Sequence, residues 1–178
     1  MATLTELVRE LRDQTGAGVM DCRRALTESD NDLKRAVEWL RQKGVAGVSK
    51  KKGREAREGL VEAYVHGGRL GALIELNCET DFVGRTEEFK NLARDIAMHV
   101  AVTDARYLGS DAVPVEELEA HAEGKPRNDF LAAHVLLHQT HIRHADKTIT
   151  QLIEEAIAKL GENVVLRRFA RFQLGSDS

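Results

Sequence analysis

Four histidines lie close together in the C-terminal half of the chain: His134, His138, His141 and His144. Residues four apart on a helix share a face, so His134 and His138 would present two imidazoles together and His141 would extend the row. Imidazoles suit zinc or nickel, but a resident site needs further ligands and groups that orient them. No Glu follows the first His, so the H-E-x-x-H pattern is absent. The plainer reading is a polar helix face and loop, and no metal is expected. Cys78, beside His66 or His99, is the one arrangement that suggests a nucleophile. A reactive thiolate needs a base in reach and a pocket, whereas a cysteine ending an apolar strand is more often a small core residue. No G-x-x-x-x-G-K-[ST] run occurs. TGAGVMD resembles a dinucleotide fingerprint only superficially, because it lacks the third glycine and follows a helix instead of a strand. No catalytic residue, no cofactor and no direct nucleotide binding is expected, and the chain does not read as an enzyme.

Two other segments point to macromolecular partners. Residues 41–57 (RQKGVAGVSKKKGREAR) hold seven basic residues, one acid and three glycines. They read as a linker, helical in part, for which a solvated hinge is the plainer reading, although Lys50, Lys51, Lys52 and Arg54 are able to meet phosphates. A ribosome- or RNA-associated helical adaptor is the alternative function this run supports, although stacking aromatics are scarce. The loop NCETDFVGR carries Phe82 between a strand and a helix. An aromatic there either folds into its own core, the commoner outcome, or stands out as an anchor for a partner, where such residues are rare but dominate binding energy. Asp81 beside it is a candidate helix cap.

The elements that must carry these residues divide into a helical front and a mixed back. Leu4, Leu7, Val8 and Leu11 form one helical stripe, with Thr3 or Thr5 as its cap and Gly16 as its stop. Val19, Cys22, Ala25 and Leu26 form a second. Asp30 or Asn31 caps a third helix that buries Leu33, Ala36, Val37 and Leu40 and ends at Gly44. The pattern then changes period. GLVEAYVH and LGALIEL flank Gly67-Gly68 as a hairpin, with Leu70, Ala72, Ile74 and Leu76 on a buried face. Phe89, Leu92, Ala93, Ile96, Ala97 and Val100 mark the longest amphipathic helix, with Glu87 and Glu88 in its first turn. Pro114 opens a short helix that ends over Gly124 to Pro126, and another is expected over Phe130 to His138. A further helix runs from Ile149 to Leu160 and stops at Gly161. The last strand places Val164, Leu166, Ala170, Phe172 and Leu174 on one face, with Arg168 the exception there, and Arg167 and Arg171 on the other. The fold class is therefore α+β, with a three-helix module over residues 1–44 and a basic linker over 45–57. Residues 58–178 form a core built on a small three-stranded antiparallel sheet packed with helices.

Composition agrees. The chain has 178 residues, 42% hydrophobic and 31% charged, which is globular. Residues 1–57 carry thirteen Lys and Arg against nine Asp and Glu, while the remainder carries thirteen against twenty. A basic front and an acidic back fit a protein that meets macromolecules through distinct faces, and not a general nucleic-acid binder. No apolar run approaches the roughly 18 residues of a membrane span, and the N-terminus lacks a signal peptide's apolar segment. Two cysteines suit a reducing compartment, so a cytoplasmic protein without membrane association is expected.

LRDQTGAGVMDCRRAL (residues 11–26) and ELNCETDFVGR (residues 75–85) resemble the two signature segments of the bacterial translation elongation factor Ts family. The ending IAKLGENVVLRRFARFQL is also similar, and the resemblance covers nearly the whole chain. It implies a guanine-nucleotide exchange factor for the GTPase elongation factor Tu, acting in protein biosynthesis by promoting release of GDP and magnesium. By the same resemblance, the front is a ubiquitin-associated-like (UBA-like) module docking on the GTPase domain through Gly18, Val19, Met20 and Arg23. The T-D-F-V segment inserts near the partner's magnesium and nucleotide, with Asp81 and Phe82 as the intruding pair flanked by Thr80 and Val83. Three features depart from the family pattern. Arg23 replaces a lysine, Gly84 replaces an alanine or serine, and the stretch after Lys125-Pro126 is short. The chain has one core half where some members have two, which implies a homodimer paired through the core.

Overall fold

The computed structural model describes residues 3–15, 17–122 and 126–176, with backbone alone for residues 45, 46, 121 and 122. The helix stop expected at Gly16, and the break over Gly124 and Lys125, lie outside the described residues. In chain order the elements begin with three helices, α1 (Leu4–Thr15), α2 (Val19–Glu28) and α3 (Leu33–Lys51). A hairpin follows, β1 (Glu58–His66) and β2 (Leu70–Cys78), then α4 (Asp81–Gly84), α5 (Glu87–Val102), α6 (Val115–Ala122) and α7 (Arg127–His134). The chain closes with β3 (Thr140–His141), β4 (His144–Thr148), α8 (Ile149–Leu160) and β5 (Val165–Gln173).

The three N-terminal helices bury Leu11, Cys22, Ala25, Leu26 and Ala36 together. Thr3 caps α1 reciprocally: the Glu6 N–H donates to its hydroxyl at 3.3 Å, and its own N–H donates to the Glu6 carboxylate at 2.7 Å. Val19 does not join this core and lies half exposed. The cap of α3 is neither Asp30 nor Asn31. Both take positive φ, 53° and 61°, a conformation short polar side chains tolerate. The cap falls on Asp32, whose carboxylate accepts the Arg35 N–H at 2.9 Å.

Gly44 does not end α3, which runs on to Lys51 through most of the basic segment. Gly44 and Gly47 each cost about 1 kcal/mol in a helix, and packing offsets them. Val48 is buried in the main core, the Lys51 ammonium donates to the Ile157 carbonyl at 3.3 Å, and Lys52 pairs with Glu154 at 2.7 Å.

The main core lies between the sheet, ordered β1-β2-β5 and antiparallel throughout, and helices α5 and α8. Ala72, Ile74 and Leu76 from β2 meet Phe89, Ala93, Ile96 and Ile157 there. The face expected for β5 is not kept. Glu75 pairs with Arg168 but Leu76 pairs with Leu166, so Arg167 is an extra residue, a β-bulge. Alternation reverses across it. Leu166 and Phe169 face the core, whereas Ala170 and Phe172, opposite Leu73 and Gly71, face away. Arg171, opposite Ala72, is on the inner side.

The expected helix over Phe130 to His138 ends early. α7 stops at His134, a 3-10 turn covers Leu136–His138, and the β3–β4 hairpin follows, an element the sequence pattern does not announce.

Candidate partner-binding site

The T-D-F-V segment forms α4, a single turn standing between the end of β2 and α5. Thr80, not Asp81, is its N-cap, accepting the Val83 N–H at 3.5 Å. Asp81 occupies the first helical position and pairs with Arg85 at 2.7 Å, one turn on. Val83 packs against the main core, and Gly84 is buried. Phe82 lies between anchored neighbours and is itself 78% exposed. Of the two readings open to it, burial in its own core is therefore excluded.

Close backbone approach sets the seat of this turn. Gly59 has φ +135°, and a Cβ on it would overlap the Leu76 carbonyl oxygen. A Cβ on Gly84 would meet the Gly59 Cα at 3.4 Å and the Cys78 sulfur at 3.5 Å. Gly84 thus brings α4 against the β1 backbone at Gly59, while Gly59 itself admits the close approach of β2. Cys78 is sealed below: its thiol donates to the Thr80 carbonyl at 3.1 Å. Burial, reinforced by the Glu162 charge, pushes the thiol up to about 11. A neutral, enclosed thiol is not a nucleophile.

On the N-terminal module, Gly18, Val19, Met20 and Arg23 are all exposed at the start of α2. Met20 is 72% exposed and Val19 is 50% exposed, an apolar pair beside the Arg23 charge. Gly18 is the N-cap and offers no side-chain bond. Nearby, the Lys43 ammonium pairs with Asp21 at 2.6 Å and sits 4.9 Å over the Trp39 ring. The sequence pattern does not mark this buttress.

The histidines do not form a row. His134 ends α7 and pairs with Asp104 at 3.0 Å, while His138 is exposed on the 3-10 turn. His141 is buried between the rings of His99 and His144, with centroids at 5.3 and 5.1 Å. Its Nε2 faces the Asp95 carbonyl at 3.0 Å and its Nδ1 accepts the Arg143 N–H at 3.2 Å. His99 uses both nitrogens as well, Nε2 to Gln139 Oε1 at 2.9 Å and Nδ1 to the Ile142 N–H at 3.3 Å. Burial holds both imidazoles below the usual histidine range. With their nitrogens engaged, these rings pin the β3–β4 hairpin to α5. Among the described residues no group of three His, Cys, Asp or Glu is placed to hold a metal ion. The basic segment is also partly engaged, since Lys51 and Lys52 reach α8, which weakens the phosphate-binding alternative. Among the described residues no helix is long and apolar enough to cross a membrane.

These observations define a class: an α+β protein with a helical N-terminal module and an aromatic side chain held out on a one-turn helix. Comparison with known sequences narrows it. The family model described as Elongation factor TS matches residues 31–130. Elongation factor Ts of Caldanaerobacter subterraneus subsp. tengcongensis is 48% identical over 191 positions, covering 96% of each chain. That of Carboxydothermus hydrogenoformans is 48% identical and covers 96% of this chain and 88% of its own. That of Syntrophus aciditrophicus is 45% identical and covers 99% and 98%. The chain belongs to the elongation factor Ts family of translation elongation factors.

Proposed function

We propose that the chain is a guanine-nucleotide exchange factor that promotes GDP and magnesium release from elongation factor Tu. The observation that carries this reading is Phe82, an aromatic ring left in solvent on a backbone anchored to either side. A large exposed apolar ring on a rigid seat is the kind of residue that dominates an interface once buried.

GDP is held by phosphate contacts and by magnesium. A ring that enters beside them and displaces their support weakens both together. Each ~1.4 kcal/mol removed from the release barrier speeds release about tenfold. Asp81, next to the ring, brings a carboxylate toward the magnesium, and Thr80 and Val83 hold the turn. The coupling is reciprocal, so GDP weakens the exchange factor's grip to the same degree. No covalent bond changes, and the role needs no acid, base or nucleophile from this chain.

The UBA-like module supplies affinity through Gly18, Val19, Met20 and Arg23. α3, about 28 Å long at 1.5 Å per residue, is continuous from the module into the main core and so joins the elements that carry the two contact regions. A connection within one chain makes the second contact effectively intramolecular. The outer face of the sheet, with Val61, Val65, Leu73 and Phe172 exposed, supports pairing of two cores into a homodimer. The cytoplasm, where elongation factor Tu works, is the compartment this role requires.

The test is release of fluorescent GDP from elongation factor Tu, followed with and without this protein. Acceleration that saturates with protein concentration is the expected result. Binding to RNA with no change in GDP release contradicts the proposal.

A further inference from the structure

We propose that Glu162 is a positioning residue for Phe82, its carboxylate clamping the loop before α4 and so setting the direction in which the ring projects. The proposal rests on the reading of Phe82 as the exchange wedge.

Glu162 follows Gly161, whose φ of 82° ends α8 and turns the chain toward β5. The turn brings the Glu162 carboxylate to the end of β2. Its Oε2 accepts the Glu79 N–H at 3.1 Å and the Thr80 N–H at 3.0 Å, and its Oε1 accepts the Thr80 hydroxyl at 2.6 Å. These are charge-assisted bonds, stronger than neutral ones. The clasp is reciprocal. Glu79 Oε1 accepts the Asn163 N–H at 2.6 Å, and the buried Asn163 amide donates to the Arg54 carbonyl at 2.7 Å. The β2–β5 ladder ends at Asn77 and Val165. Beyond it, these side-chain bonds join the two loops.

The path from Glu162 to Phe82 runs through one oxygen. A threonine hydroxyl has one proton and two lone pairs. Thr80 gives its proton to Glu162, which turns a lone pair toward the Val83 N–H that it caps. α4 is four residues long. A single turn has little stability of its own, so its orientation is set by this cap together with the seating of Val83 and Gly84. Phe82, almost free of packing, points wherever that turn points.

The experiment uses the full chain and measures two quantities in the GDP-release assay: the maximal rate and the concentration giving half of it. Glu162→Ala is expected to lower the maximal rate about tenfold, within the roughly hundredfold that a ~1 Å misplacement can cost. Its half-saturation should move less than about threefold, because the contacts on α2 are untouched. Glu162→Gln keeps an oxygen for the two N–H groups and an amide for the Thr80 hydroxyl, and restores the rate to within about threefold. Thr80→Val cuts the same path while leaving the backbone bonds to Glu162, so it slows exchange with an intact fold. Combining it with Glu162→Ala adds no further loss, as expected for residues acting in series. A wild-type maximal rate in Thr80→Val or Glu162→Ala, or losses that multiply in the double variant, would overturn the proposal. Phe82→Ala in the same assay keeps the two failures apart. If it exchanges normally, the wedge reading itself is wrong. If it is slow while Glu162→Ala is not, only the role of Glu162 is lost.

Discussion

Phe82 and Val83 are neighbours in the chain and occupy opposite environments. Val83 packs against the main core, while the Phe82 ring is left in solvent. A one-turn helix makes this division unavoidable, because consecutive helical residues point about 100° apart. Val83 fastens the turn, and Phe82 is what the turn presents.

Two glycines that meet beneath that turn differ in their tolerance of a side chain. Gly59 has a positive φ, and a Cβ there would strike the Leu76 carbonyl. Gly59→Ala should cost about 3 kcal/mol or more, from strain and clash together. Gly84 has ordinary backbone angles and room at contact distance for a methyl group. Gly84→Ala should be neutral or stabilising by about 0.4–1 kcal/mol, through the unfolded chain's lost freedom. Urea titrations of both variants check the contrast, and equal losses would refute it.

Stability should fall with acid in a window set by His99 and His141. Burial lowers both imidazoles in the folded protein. Above about pH 6.5 the two rings are neutral in both states and stability is complete. As pH falls below that value the unfolded chain takes up protons that the folded rings resist, so stability declines by up to about 1.4 kcal/mol per pH unit for each ring. The charged groups facing them, Asp95, Arg143 and His144, leave the direction unchanged. Urea midpoints measured from pH 7.5 to 5 should show the decline, with a shallower slope in His141→Gln. A flat midpoint in the parent protein contradicts it.

The module at the front should act on affinity and not on the exchange step. Met20→Asp places a charge in an exposed apolar patch without disturbing the buried Cys22, Ala25 and Leu26. Half-saturation in the exchange assay should rise at least tenfold, the equivalent of about 1.4 kcal/mol, with the maximal rate unchanged. A reduced maximal rate at unchanged half-saturation would assign the module to the exchange step instead.

Pairing of two cores should depend on the outer face of the sheet. Phe172→Asp places a carboxylate opposite Gly71, in the same cross-strand row as Val65. Sedimentation of the parent protein at micromolar concentration should show a dimer unaffected by reducing agent, since Cys22 and Cys78 are both buried. The Phe172→Asp chain should sediment as a monomer. A parent monomer would remove the dimer from the account.

Much of this architecture is legible in the residues. The Gly67-Gly68 turn, the alternation of Ala72, Ile74 and Leu76, and the stripe from Phe89 to Val100 follow from local rules. What escapes those rules is tertiary. The bulge at Arg167 reverses the faces of β5, and only the pairing with Glu75 and Leu76 reveals it. α3 passes Gly44 because Val48, Lys51 and Lys52 find partners more than a hundred residues away, or in the main core. The histidines near His141 read as a helical row in sequence, but Asp95 and His99 on α5 draw them into a hairpin. For Phe82, local pattern leaves both readings open and favours burial, which the structure overturns. The seating of Val83 and Gly84 decides it, and family resemblance alone assigns the ring a partner.

The most direct measurement is made on one variant, Phe82→Ala, by urea unfolding and by GDP release from elongation factor Tu. Truncating an exposed ring should shift stability by no more than about 0.5 kcal/mol. Loss of an interface anchor worth about 2 kcal/mol should slow exchange roughly thirtyfold. A variant that melts about 3–5 kcal/mol earlier, as a core residue's would, yet releases GDP at the parent rate would contradict the account.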